Sequence, residues 1–266
     1  MWKKFSQMPT LNKRIKFLVT TAVLTLGFLI MSLYITQSRL GYIGLLTIAT
    51  LLLFVWSLWE GLRLNATLLV LILPAFFTFG VGLFWFLLPA RVLTTLPVIG
   101  LFAMGTYALV LTSNIYVVSA IRTIALVRAA KGVGFVMTLF TLFLLYDAIL
   151  SLRLPLHFNA PTIALVSLPL LVQGLWAGKL TEGISQKVLL YSLVFSINIA
   201  AVSALIYFWP VSVVVGSLFI TGVVYVLLGL GQAKLDGRLF KQTIREYAIV
   251  GAAVFLATFF TTHWRG

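Results

Sequence analysis

The 266-residue chain has no cysteine and only two histidines, His157 and His263. Without cysteine there is no disulfide framework, no thiolate nucleophile and no thiolate metal site. Two isolated histidines do not make a metal-binding pattern, so no metal and no other cofactor is expected. Acidic residues are almost as scarce: Glu60, Asp147, Glu182, Asp236 and Glu246 are all there are. Charged residues of both signs make up 9 % of the chain, against about 25 % in a soluble domain. That is too little polar surface to cover a globule in water. The P-loop, G-x-S-x-G and H-E-x-x-H patterns are also missing, and with them the phosphate-binding loops, nucleophile elbows and zinc hydrolases that they mark.

Apolar residues fill the chain instead. They make up 62 % of it, and the mean hydropathy is +1.13. Lipid is the solvent that suits such a chain, and in lipid only helices and closed barrels satisfy the backbone. Barrel strands would alternate apolar and polar in segments of about 10 residues. Here the apolar runs are continuous and roughly 20 residues long, the length of a spanning helix. The expected fold is an all-α, polytopic integral membrane helix bundle of nine transmembrane helices in a single domain. The spans read as 17–35, 40–58, 67–88, 95–118, 133–152, 162–178, 188–208, 211–230 and 247–263. A basic arm, 1–16, precedes them. It carries Trp2, Phe5, Met8, Leu11 and Ile15 at helical spacing, broken at Pro9, which is the pattern of an interface-lying segment. No A-x-A-like site follows the first run, which argues against a cleaved signal peptide.

Nineteen lysines and arginines against five acids give a net charge of +14. They sit in short loops between spans, so they read as orientation signals and not as a nucleic-acid surface. With the N-terminus in the cytoplasm, only Arg39, Arg91, Arg153 and Arg265 fall outside, and the other 15 of the 19 fall inside. This asymmetry predicts a cytoplasmic N-terminus and an outer C-terminus, in a bacterial-type plasma (inner) membrane. Trp56, Trp59 and Trp176 fall at inner ends of spans, and Trp85, Trp209 and Trp264 at outer ends. They are expected to form an aromatic belt. Spans 1–4 and 5–8 both start inside, as two parallel halves would, but no sequence repeat links them. The mid-span prolines, Pro74 and Pro169, do not fall at matching positions.

Candidate sites are few. Asp147 is the one acidic residue inside an apolar span, about 7 Å outward of the midplane at 1.5 Å per residue. A charged aspartate at a helix centre costs roughly 2.5–3.5 kcal/mol on the insertion scale. It must therefore be protonated, paired or turned toward a polar cavity. Arg91 is the better partner by depth, because Arg153 lies six residues on and faces another side of the helix. Asn114, Gln173 and Asn198 are intramembrane amides that either join a substrate site with Asp147 or act as ordinary glue between helices. Pro74 and Pro169 mark kinks or broken helices. Ser212-x-x-x-Gly216 and Ala253-x-x-x-Ala257 are small-residue faces for close helix packing, within the chain or in a homo-oligomer. Arg91, Arg153 and His157 form an outer-face polar cluster, the last two in a loop at 152–161 that also carries Asn159. The inner loop 231–246 carries Lys234, Arg238, Lys241 and Arg245 and reads as an interfacial helix held to anionic lipids of the cytoplasmic leaflet.

Three functions fit these features. The first is a small transporter or permease-like protein with Asp147 as a coupling carboxylate. The second is a non-catalytic subunit or scaffold of an envelope complex, with a membrane protein partner. The third is an outer-face lipid-processing enzyme using Asp147, Arg153 and His157, and the scarcity of polar groups places it last.

Overall fold

Nine apolar runs become nine helices. The computed structural model describes residues 12–34, 39–62, 67–88, 92–119, 126–180 and 183–262. Among these residues, nine helices are long and apolar enough to cross a membrane. They are α1 (Lys13–Tyr34), α2 (Arg39–Leu58), α3 (Ile72–Leu87), α4 (Val92–Ser119), α5 (Val127–Ser151), α6 (Leu156–Lys179), α7 (Gln186–Tyr207), α8 (Val213–Leu235) and α9 (Lys241–Thr261). The protein is an all-helical membrane protein.

Helix ends differ from the ends of the apolar runs. Helices α5, α6 and α9 begin at Val127, Leu156 and Lys241, each well before its expected span. A helix does not stop where hydropathy falls; its hydrogen-bond ladder continues until a cap or breaker intervenes. Thus α6 starts right after Pro155, which holds an extended ψ of 150°. The segment 152–161 is therefore mostly helix, and His157 and Asn159 lie on the first turns of α6. The segment 231–246 is likewise not an interfacial helix. Helix α8 runs on to Leu235, the chain turns at Asp236 and Gly237 (φ 70°), and α9 starts at Lys241.

The prolines also find local explanations. Pro74 falls in the first turn of α3, directly after a 3₁₀ segment at Thr67–Leu71. Its missing N–H costs little there, so it breaks no helix in mid-span. Pro169 lies inside α6 and leaves the Leu165 carbonyl without its intrahelical donor. One residue earlier, the Ala164 carbonyl accepts a 2.6 Å hydrogen bond from the Ser196 hydroxyl of α7. A neighbouring helix thus supports the backbone at the proline.

The helices close into two groups with the same circuit. Helices α1 to α4 pack as α1 on α2, α2 on α3, α3 on α4 and α4 back on α1, with α2 also touching α4. Helices α5 to α8 repeat this as α5 on α6, α6 on α7, α7 on α8 and α8 back on α5, with α6 touching α8. The halves meet where α5 packs on α3 and α4, and α9 packs on α8. Burial follows: the apolar windows of α3, α5 and α6 are 61 %, 56 % and 56 % buried, whereas that of α9 is 6 %. These three helices are the most enclosed, although Thr50 of α2, Ser192 of α7 and Ser217 of α8 are buried polar groups as well.

Packing rather than water exclusion joins helices in lipid. Phe28 of α1 stacks on Phe102 of α4 at 4.8 Å, and Phe102 on Phe77 of α3 at 5.9 Å. The aromatic belt needs correction. Trp56 and Trp59 are exposed, but Trp176 is fully buried and touches the Tyr116 ring edge-on at 6.3 Å. Trp85 is buried as well and packs on Phe28. Both are core residues near the ends of spans, a position that sequence alone cannot separate from the lipid interface. Ala253 and Ala257 are exposed and do not form the contact of α9 with α8, which uses Gly251, Val254 and the close approach of Tyr247 to Gly229.

Candidate functional site

Asp147 sits on α5 where that helix crosses α8. It is 5 % exposed. The Ser217 hydroxyl of α8 donates to its Oδ1 at 3.3 Å. The same hydroxyl donates to the Val214 carbonyl at 2.9 Å. A hydroxyl has one proton and two lone pairs, so the contact serves two states. An ionised Asp147 accepts from Ser217. A protonated Asp147 donates to Ser217, whose own proton then goes to Val214. Among the described residues no lysine or arginine pairs with Asp147. Arg91, its expected partner, lies outside the described residues.

Close to this contact is a cavity of ≈ 500 Å³ at the ends of α5, α6, α7 and α8. Leu150, one turn above Asp147, and Gly216, next to Ser217, form part of its floor. Its polar lining comes from Arg153, Asn159, Tyr207, Trp209 and Ser212. Arg153 ends α5 in a left-handed conformation (φ 49°), with its N–H donated to the Leu150 carbonyl at 3.1 Å. Arginine seldom occupies that region. Ser212 caps α8, its hydroxyl accepting from the Val215 N–H at 3.4 Å. Asn159 is buried, and its Oδ1 has no hydrogen-bond partner among the described residues.

The remaining candidates are scattered. His157 is exposed, lies beside the Phe158 ring at a tilt of 49° and does not line the cavity. Gln173 is buried on α6, with its Oε1 unpartnered among the described residues. Asn114 is half-buried on α4. Asn198 is exposed on α7, and its amide donates to the Val194 carbonyl of its own helix at 2.7 Å. The amides therefore do not gather around Asp147. Lys234, Arg238, Lys241 and Arg245 are all exposed around the α8–α9 turn, and the Lys234 ammonium lies over the Tyr191 ring at 5.3 Å. A second cavity of ≈ 550 Å³, between α3, α4 and α5, is bounded by Phe77, Pro97, Gly100, Met104, Met137 and Phe140 and offers no polar side chain.

Sequence reasoning passed over Ser217 and Gln232, and read Ser212 only as part of a packing face. The Gln232 amide of α8 donates to the Gly174 carbonyl of α6 at 2.8 Å, and the Lys131 ammonium reaches the Gly178 carbonyl at the C-terminal end of α6. Ser217 directly follows the Ser212-x-x-x-Gly216 face. A hydroxyl beside a small-residue face was the available signal for a polar contact at a close helix crossing.

The model of one family matches residues 59–261. The chain belongs to the family described as "Protein of unknown function (DUF5656)". The matched region spans α3 to α9 and so contains Asp147, Ser217 and every residue that lines this cavity. No curated protein and no solved structure matches the chain.

Proposed function

We propose that this protein is a small transporter or permease-like protein in which Asp147 binds and releases a proton or another small cation as the coupling step. The observation that carries the reading is the Asp147–Ser217 contact. A buried carboxylate is held across two helices by one hydroxyl, with no cation partner among the described residues, beneath a polar cavity. A structural carboxylate is expected to be fully paired. A carrier group needs a partner that accepts either protonation state, and Ser217 with Val214 supplies one. The outer-face enzyme reading has less support, because His157 does not line the cavity.

The same reading places the N-terminus in the cytoplasm and the cavity on the outer side of a plasma membrane, on the strength of the basic-residue asymmetry. Lys234, Arg238, Lys241 and Arg245 then face the inner leaflet and contact its anionic lipids. The test is a pH jump on proteoliposomes adsorbed to a solid-supported membrane, which needs no known substrate. Wild-type protein is expected to give a transient charge displacement that Asp147→Asn lacks, with folding and insertion intact. Equal transients in both proteins would rule out Asp147 as the coupling group.

A further inference from the structure

Helix α4 closes on α5 near its C-terminal end, where Tyr116 lies against Gly134. Toward the start of α4, the cavity of ≈ 550 Å³ opens between α4 and the α3–α5 pair. Its floor is the Phe77 ring, which rests on bare α4 backbone: a methyl added at Gly105 would overlap that ring. Gly100 belongs to the α4 wall, and a methyl added there would meet no atom of the described residues within 4 Å. Glycine inside a helix is less stable than alanine, and Gly100 gains no close packing within the chain to offset that. Leu101 and Met104, in the same wall, are 43 % and 76 % exposed. The mouth of the cavity therefore faces lipid.

Position along the spans identifies what can enter. Pro97 lies one turn inside the start of the α4 span, whereas Phe77, Met137 and Phe140 lie near the middles of the spans Leu68–Leu87 and Val127–Ser151. From Pro97 to Ala108 is roughly 16 Å at 1.5 Å per residue. One leaflet supplies about 15 Å of hydrocarbon, half of the bilayer core. The cavity thus runs from one side of the membrane to its middle and stops. A spanning helix from a second copy is about 10–12 Å wide and has to continue past the middle, where Tyr116 and Gly134 already close α4 on α5. No polar side chain lines the cavity among the described residues, so a headgroup, a sugar or an ion finds no partner there. Met104 and Met137 are adaptable walls that suit a flexible guest. A single hydrocarbon chain meets all of these conditions, and the acyl chains of one leaflet are the hydrocarbon of that length at that depth.

We propose that this cavity holds one acyl chain of a bilayer phospholipid, drawn from the leaflet at the start of α4. That leaflet is the outer one in the topology proposed above. The chain is a bound ligand, unlike the lipid that passes along α9, whose apolar window is 6 % buried. The site does not involve Asp147 and stands whether or not that residue couples transport.

The test is photolabelling of the full chain in proteoliposomes doped with phosphatidylcholine that carries a diazirine near the end of one acyl chain. Labelled residues are mapped by digestion and mass spectrometry. Met137 and Phe140 are expected to be labelled at least about fivefold more than Ile249 and Ala253, exposed residues near the middle of α9 that report passing lipid. Gly100→Phe puts a ring into the open space at the mouth. It is expected to cut labelling of Met137 and Phe140 by about fivefold or more and to leave α9 unchanged, because a ring and an acyl chain cannot share one volume. Met104→Trp, at an exposed position, is expected to do the same and serves if Gly100→Phe does not insert. Equal labelling of the cavity and α9 would reduce the site to ordinary boundary lipid and overturn the proposal. Unchanged labelling of Met137 and Phe140 in either inserted variant would overturn it as well. Displacement of the probe by an equal amount of a polyprenyl phosphate would overturn the assignment to an acyl chain.

Discussion

Gly134→Ala tests whether α4, α5 and α6 meet as described. Tyr116 of α4 is 1 % exposed and donates its hydroxyl to the Ala130 carbonyl of α5 at 3.1 Å. That places the phenol against Gly134. A methyl added there would lie 2.1 Å from the Tyr116 hydroxyl oxygen and 3.1 Å from Cζ. Contacts that short are not sustained, so the ring has to retreat. Its other side meets Trp176 of α6, 6.3 Å away and nearly perpendicular, so retreat means moving a helix. Overpacking of this kind costs about 1–3 kcal/mol, and the lost hydrogen bond adds roughly 1 kcal/mol. Gly132, two residues away, has open space at the same atom. Alanine there gains up to about 1 kcal/mol of helix propensity. The two variants should differ by roughly 3 kcal/mol, which at about 2–4 °C per kcal/mol is a gap of several degrees in Tm. Thermal unfolding in detergent, followed by size exclusion with tryptophan fluorescence, reads that gap. Tyr116→Phe removes the closest atom, so the Gly134→Ala/Tyr116→Phe pair should be no less stable than Gly134→Ala alone. Equal melting of Gly132→Ala and Gly134→Ala, or additive losses in the pair, would refute the packing.

Ser217→Ala removes the hydroxyl that holds Asp147, which should lower stability by about 1–3 kcal/mol. Adding Asp147→Leu should recover much of the loss, as apolar replacement of buried charge often does. Wild-type melting of Ser217→Ala would show that the contact is unimportant. Because the chain has no cysteine, single cysteines report topology without background. Arg153→Cys should react with an impermeant maleimide on intact cells, and Arg238→Cys only after permeabilisation; the reverse pattern would invert the orientation. Replacing Arg238 and Lys241 with glutamine should reduce retained phosphatidylglycerol by about fivefold per residue, since each basic group near an anionic surface contributes about 1 kcal/mol. Undiminished retention in native mass spectra would remove the lipid contact.

Nine helices were legible in the sequence because lipid leaves a chain few backbone solutions. The helix faces were not. In water, a buried stripe stands out against a polar face. Here the lipid-facing and core-facing sides are both apolar, so the period carries little information. Asn159 and Asn198 show the consequence. Each is an asparagine in or beside an apolar run, and the sequence favours Asn198, which lies deeper. In the fold, Asn198 faces outward and satisfies itself on the Val194 carbonyl. Asn159 is buried at the head of a helix that begins earlier than its apolar run does. The hydroxyls repeat the lesson. Thr25, Thr47 and Ser192 all donate to the carbonyl four residues back, a local bond available to any serine or threonine in a helix. Ser217 makes a local bond too, to Val214, and its place beside a small-residue face names no partner. Only the packing of α8 on α5 turns that hydroxyl toward Asp147, so the site exists as a pair across two helices and in neither helix alone.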